Sequence, residues 1–253
     1  AATLNFTGTN AVNWNNSSLL GGGNLTNESP IILATAGSRY ISGNTTLTNK
    51  SLVTMPANGY LYIIDTSVFN NTSSGTFDIQ SDAILSYSGG GAHQFNNAGL
   101  LKRTTTTGNA QILCYLTNTG TISVESGTLS LTALPKAFDG GIYNVATTSE
   151  FILGILINVS NTLTGLLNGP MTWANNISVP TTAAFNFTGT TGVNWPSGSL
   201  LGGGTLTNQS TINLTTAGSR YISGTITTLA NSGLIKAANG GYLYLYNDAS
   251  INN

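Results

Sequence analysis

Charge is what this sequence lacks most. Aspartate, glutamate, lysine and arginine make up 6% of the 253 residues, against about a quarter in ordinary soluble domains. The net charge of -1 leaves no basic face for nucleic acid and no cationic stretch for an anionic membrane. Cys114 is the single cysteine, which excludes an internal disulfide framework; Ile112 and Leu116, at period two, place it among inward-facing side chains as a small apolar residue. His93 is the single histidine, so an imidazole-built metal site is not expected. The longest apolar stretch, 151–159, is broken by Gly154 and Asn158 and is far shorter than the roughly 20 residues of a bilayer-crossing helix. No charged-then-apolar leader precedes Ala1; the chain reads as a mature or trimmed segment, which says nothing against secretion.

What is present is repetition at two lengths. A short unit, apolar-x-Asn, recurs with Asn27, Asn49, Asn71, Asn97, Asn118, Asn161, Asn208, Asn231 and Asn253 as its asparagines. Phe6, Gly140 and Phe187 are weaker matches that complete a series of twelve, with steps of 21 to 23 and two of 26. A period in this range signals stacked supersecondary units. The longer repeat returns residues 5–71 at 186–253: Asn5-Phe6-Thr7-Gly8-Thr9 recurs at 186–190, and Gly37-Ser38-Arg39-Tyr40-Ile41-Ser42-Gly43 at 218–224. Its offset of 181 becomes 182 after one inserted residue near Thr225. The domain reading is therefore one continuous solenoid over 1–253, with 1–181 as an eight-coil module and 182–253 as the start of a second copy.

Within units the alternation has period two, as in Leu116, Asn118, Ile122 and Val124 against Thr117, Thr119, Ser123 and Glu125. That is the strand signature, and no window of ten residues carries a helical stripe. About 22 residues accommodate three short strands and their turns. With no helical crossovers, stacked equivalent strands must pair in parallel by coiling, which predicts an all-β, right-handed parallel β-helix of about twelve coils, roughly 55 Å long. The recurring asparagine is then an inward ladder: its amide donates and accepts, so stacked copies bond along the axis, and it tolerates the left-handed backbone of a tight corner. The position thirteen after the ladder position, occupied by Leu19, Tyr40, Tyr62, Leu131, Leu153, Leu200, Tyr221 and Tyr244 in eight of the units, is expected to form an interior column.

Catalytic chemistry is thinly provided. Polysaccharide lyases and hydrolases on parallel β-helices need clustered carboxylates, for acid–base work or for calcium. Of the eight here, Glu28 becomes Gln209 and Asp65 becomes Asn247 in the second copy. Asp78 and Asp82 are the only close pair, and calcium is the one cofactor they suggest; as strand residues four apart they would lie about 13 Å from one another. Arg39 and Arg220 invite two readings: guanidinium groups bound to turn carbonyls, or a repeated contact with sugar or a neighbouring filament. Trp14 and Trp195 divide in the same way between packing and a sugar platform.

Val193-Asn194-Trp195 followed by Gly202-Gly203-Gly204-Thr205-Leu206-Thr207-Asn208, and Leu116-Thr117-Asn118-Thr119-Gly120-Thr121-Ile122, resemble the repeats of very large secreted cell-surface proteins of bacteria, especially Bacteroidota. The resemblance covers nearly the whole chain and is weakest between Pro135 and Pro180. It implies an extracellular, non-enzymatic module of a fibre, filament or adhesin stalk, continued in tandem or associating end to end. The alternatives are a carbohydrate-binding module on the cell surface, with glycans as partners, and, behind it, a polysaccharide lyase or hydrolase.

Overall fold

The computed structural model describes residues 1–6, 10–237 and 240–253; the Thr7-Gly8-Thr9 part of the long repeat lies outside the described residues. Among the described residues there is no helix, and the strands, most of them four residues long, pair in parallel. They fall on three faces taken in turn, and eleven of them, from Ser17–Leu19 to Leu234–Ala237, belong to the third face. The fold is a β-solenoid of about eleven turns. The count of twelve from sequence was of markers, and twelve markers enclose eleven intervals. The chain forms two compact units, Ala1–Ser130 and Leu131–Asn253, each built of such coils.

In the first unit one coil serves as the pattern. Thr46–Asn49, Leu52–Met55 and Tyr60–Ile64 occupy the three faces, and each buries alternate residues: Leu47 and Asn49, Val53 and Met55, Leu61 and Ile63. Stacking turns these positions into columns. Leu47, Phe69, Phe95 and Leu116 align on the first face, and Val53, Phe77, Leu101 and Ile122 on the second. Phe69 lies flat on Phe95 with centroids 4.9 Å apart, and Phe77 meets both rings edge-on. Each of these fully buried side chains contributes about 1.5–3 kcal/mol by leaving water. At some corners there is no room for a side chain: a Cβ at Gly99 would lie 2.1 Å from the Thr72 carbonyl oxygen.

The second unit departs from this regularity before returning to it. Ile157–Leu166 runs through a corner, pairing over residues 157–160 with Lys136–Asp139 and over 161–166 with Thr182–Thr188. Asn161, at the bend, has φ of 57°, a left-handed conformation that asparagine tolerates better than most residues. Aromatic rings fill this part of the core: Phe138, Tyr143, Phe151, Trp173 and Trp195 are all at most 1% exposed. Trp173 stacks on Trp195 at 4.0 Å with planes 7° apart. Regular coils resume with Thr205–Asn208, which pairs in register with Thr228–Asn231.

The expected interior column is corrected here. Tyr40 and Tyr62 point outward, between the buried Arg39 and Ile41 and the buried Leu61 and Ile63 respectively. Leu200 aligns with Ile222, and it is Ser199 that aligns with Tyr221. Leucine and tyrosine are therefore on opposite faces of the strand, as a one-residue slip in a period-two structure requires.

Candidate functional site

The polar interior of the first unit is an amide row. Asn27 Nδ2 donates to Asn49 Oδ1 at 2.8 Å, Asn49 to Asn71 at 2.8 Å, Asn71 to Asn97 at 2.7 Å and Asn97 to Asn118 at 2.6 Å. Remaining capacity goes to the adjoining turns: Asn49 Nδ2 also donates to Ser51 O, and Ser29 N donates to Asn27 Oδ1. These five side chains are at most 1% exposed, so the row satisfies groups whose burial would otherwise cost about 1–3 kcal/mol each. A shorter row occupies the second unit, with Asn208 donating to Asn231 and Asn231 to Asn253.

Asn161 belongs to neither row. It aligns with Ala183, which aligns with Leu206, two positions away from Asn208. Its exposed amide donates to Asp139 Oδ1 at 2.6 Å. Of the nine ladder candidates it alone has a positive φ, so the two uses of asparagine, corner and row, fall to different residues. The weaker matches are also reassigned, since the coil partners of Asn27 and Asn208 are Leu4 and Phe185. Phe6 and Phe187 instead donate their backbone N–H groups to Ser29 and Ser210, each at 2.6 Å.

Arg39 and Arg220 are completely buried and tie turns together. Arg220 Nε donates to Trp195 O at 2.6 Å, Nη1 to Gly218 O at 2.7 Å and Nη2 to Thr216 O at 2.9 Å. Arg39 repeats the set on Trp14 O, Gly37 O and Thr35 O. Burial pushes both guanidinium groups below their ordinary pKa, yet three carbonyl dipoles keep the charge solvated from within. As contact residues for sugar or filament both are therefore corrected. Trp195, 1% exposed beneath Trp173, is corrected too, while Trp14 is half-buried and its indole N–H donates to Ser17 O at 3.3 Å.

Two further buried cations were missed by sequence reasoning. Arg103 stands in the apolar column of Met55, Ile79 and Val124. It donates to Thr104 O at 2.8 Å and pairs with Asp82 at 2.6 Å. Desolvation lowers its pKa and Asp82 opposes that shift. Lys136, 1% exposed, donates to Leu134 O at 2.6 Å. The available signal was period two, because Leu101 and Arg103 share a face just as Arg39 and Ile41 do.

The carboxylate pair is engaged rather than open. Asp78 accepts from Thr104 and Gln80 and lies 3.5 Å from Lys102 Nζ; Asp82 accepts from Arg103 and Thr106. No group of three or more His, Cys, Asp or Glu that could hold a metal occurs among the described residues. Asp65 and its counterpart Asn247 have φ of 60° and 54°, so the exchange of acid for amide preserves a left-handed corner. His93, just before the strand Gln94–Asn97, is 3% exposed and stacks against Tyr87 at 4.7 Å. Cys114 is buried.

No family model, no curated protein and no solved structure matches this chain. No helix among the described residues is long and apolar enough to cross a membrane.

Proposed function

We propose that the chain is a non-catalytic structural module of an extracellular bacterial fibre, filament or adhesin stalk, repeated in tandem. The observation that carries this reading is the buried row from Asn27 to Asn118. A row bonded from coil to coil specifies axial stacking, gains one bond for each coil added, and has no natural length. The buried arginines serve the same end by joining the turns of successive coils. The secreted, cell-surface location rests on the resemblance of the repeats to those of large bacterial surface proteins. Electron microscopy of the native assembly tests the reading: the expected result is a filament with an axial module of roughly 38 Å, eight coils at about 4.8 Å. A discrete particle closed at both ends by non-repetitive caps overturns it.

A glycan-binding role is supported by a different surface from the tryptophans. Tyr40, Tyr60 and Tyr62 form an outward set, with Tyr62 centred 5.1 Å from Tyr40 and 5.4 Å from Tyr60, and amphipathic rings of this kind suit sugar contacts. Binding to one class on a glycan array, lost in Tyr60→Ala, selects this reading over the purely structural one.

A further inference from the structure

The long repeat allows the same residues to be seen in two surroundings. In the first unit Leu4, Val12, Trp14, Leu19, Leu25 and Leu47 line a cavity of about 180 Å³, and the first five are only half-buried. Their strands, Ala2–Leu4, Val12–Asn13 and Ser17–Leu19, pair with Asn24–Asn27, Ile31–Ile32 and Ser38–Ile41. Among the described residues of that unit, no coil lies against their other edge. The counterparts in the second copy are Phe185, Val193, Trp195, Leu200, Leu206 and Leu229, and every one is at most 1% exposed. Five of the six residues are identical, with Phe185 in place of Leu4, so the difference in burial comes chiefly from the neighbour.

That neighbour is the coil of residues 161–181. Leu163 aligns with Phe185, Met171 with Val193 and Ile177 with Leu200, and Trp173 covers Trp195. It contributes both backbone pairing and an apolar inner surface, the two things the half-buried face of the first unit lacks.

We propose that the face made by Ala2–Leu4, Val12–Asn13 and Ser17–Leu19 is a seat for one coil of the 161–181 kind, supplied by a neighbouring copy of the repeat, whose tryptophan stacks on Trp14. This rests on the tandem-module reading and names the contact that joins one module to the next. The occupant is a β-coil and not a small ligand because three open strand edges surround the apolar opening, and only another set of parallel strands satisfies edges and cavity together. Tryptophan is the matching residue because Trp14 is the counterpart of the one ring in the second copy that is covered by another indole.

The test uses the whole chain with a copy of residues 161–181 joined ahead of Ala1. Residue 182 is the counterpart of residue 1, so the added segment arrives in the register it has in the second copy. Its tryptophan is replaced by phenylalanine, which keeps the emitting residues the same three. Trp173 and Trp195 are buried, so acrylamide quenching of fluorescence reports chiefly on Trp14. The expected result is a severalfold fall in quenching, with a higher thermal midpoint, and no change when the added segment is scrambled. Trp14→Ala should then lower the midpoint of the extended chain more than that of the parent.

Unchanged quenching, equal protection by the scrambled segment, or loss of the parent's far-UV spectrum on extension overturns the proposal. Protection of the parent by increasing its own concentration, with none from the added coil, assigns the face to the end of another chain instead. Protection by a soluble oligosaccharide alone assigns it to sugar. Trp14 protected in the extended chain while the native material shows no filaments sinks the fibre reading and leaves the seat standing.

Discussion

Coils 24–124 and coils 136–187 solve one problem, holding stacked strands in register, by different means. The first set runs an unbroken amide row down its interior and keeps a near-constant alternation of apolar residues. The second has no such row among its described residues and fills the space with Phe138, Tyr143, Phe151, Trp173 and Trp195. The Tyr143 hydroxyl donates to Gly140 O at 3.1 Å, while the indole N–H groups of Trp173 and Trp195 have no hydrogen-bond partner among the described residues. A hydrogen-bonded row specifies register residue by residue, whereas large rings specify volume. The comparison teaches that an interrupted sequence motif need not interrupt the solenoid, provided shape complementarity replaces the missing bonds.

The largest expected effect lies in the ring-filled coils. Trp173→Ala should cost about 3–5 kcal/mol in denaturant unfolding, because it empties a site packed face-to-face on Trp195. Trp173→Phe should cost much less, since the lost volume is smaller and one unpartnered N–H is removed; equal losses in the two variants would mean that ring shape does not hold these coils. Next comes Arg220→Met, expected at about 3 kcal/mol, because the carbonyls of Trp195, Gly218 and Thr216 lose charged donors. Arg220→Lys should recover only part of that, as a single ammonium cannot span three carbonyls in a fixed fork.

In the amide-rowed coils Asn97→Ala should cost about 1–3 kcal/mol, since it cuts the row at both neighbours. Asn161→Gly should stay within about 0.5 kcal/mol, because the position is exposed and glycine keeps its left-handed φ. Thr117, half-buried and accepting from Gln94 Nε2 at 2.8 Å, should lie between them when mutated to Ala. A chemical-denaturation series that ranked Asn161 with Asn97 would erase the distinction between corner and row. The smallest effect concerns the outward tyrosines of the same coils. Tyr62 has its phenol pKa raised by burial and, secondarily, by Tyr60 and Tyr40. The folded state therefore retains a proton that the unfolded state releases, so stability is full below the unfolded phenol value near 10 and is lost as pH rises through the folded value. Tyr62→Phe should make that alkaline decline shallower, and an ultraviolet titration of the phenols should lose its late-titrating component.

The coil and its parallel stacking were legible because period two and a spacing near 22 residues are properties of the backbone and appear in every unit. The row from Asn27 to Asn118 was legible for the same reason. Asn161 was not, because the apolar-x-Asn pattern does not record φ, and one left-handed residue moves an asparagine from the inside of a strand to a corner. The tyrosine column failed by a single step: counting from one marker across a turn of variable length put Leu200 with Tyr221, although Leu200 belongs with Ile222. Buried Arg103 and Lys136 ran against the rule that charge lies outside, and only neighbouring turn carbonyls, which a sequence does not display, make that exception affordable.

Of the seven lysines and arginines, four, Arg39, Arg103, Lys136 and Arg220, are sealed inside. A trypsin-like protease recognises basic side chains on segments that can be drawn out into its cleft, so the folded protein offers it Lys50, Lys102 and Lys236 alone. Lys50 and Lys102 are tethered to Glu28 and Asp78, and Lys102 and Lys236 lie within paired strands. Cleavage at those two therefore waits on local opening of the sheet. Using arginine to stitch turns has thus also removed digestion sites from the surface.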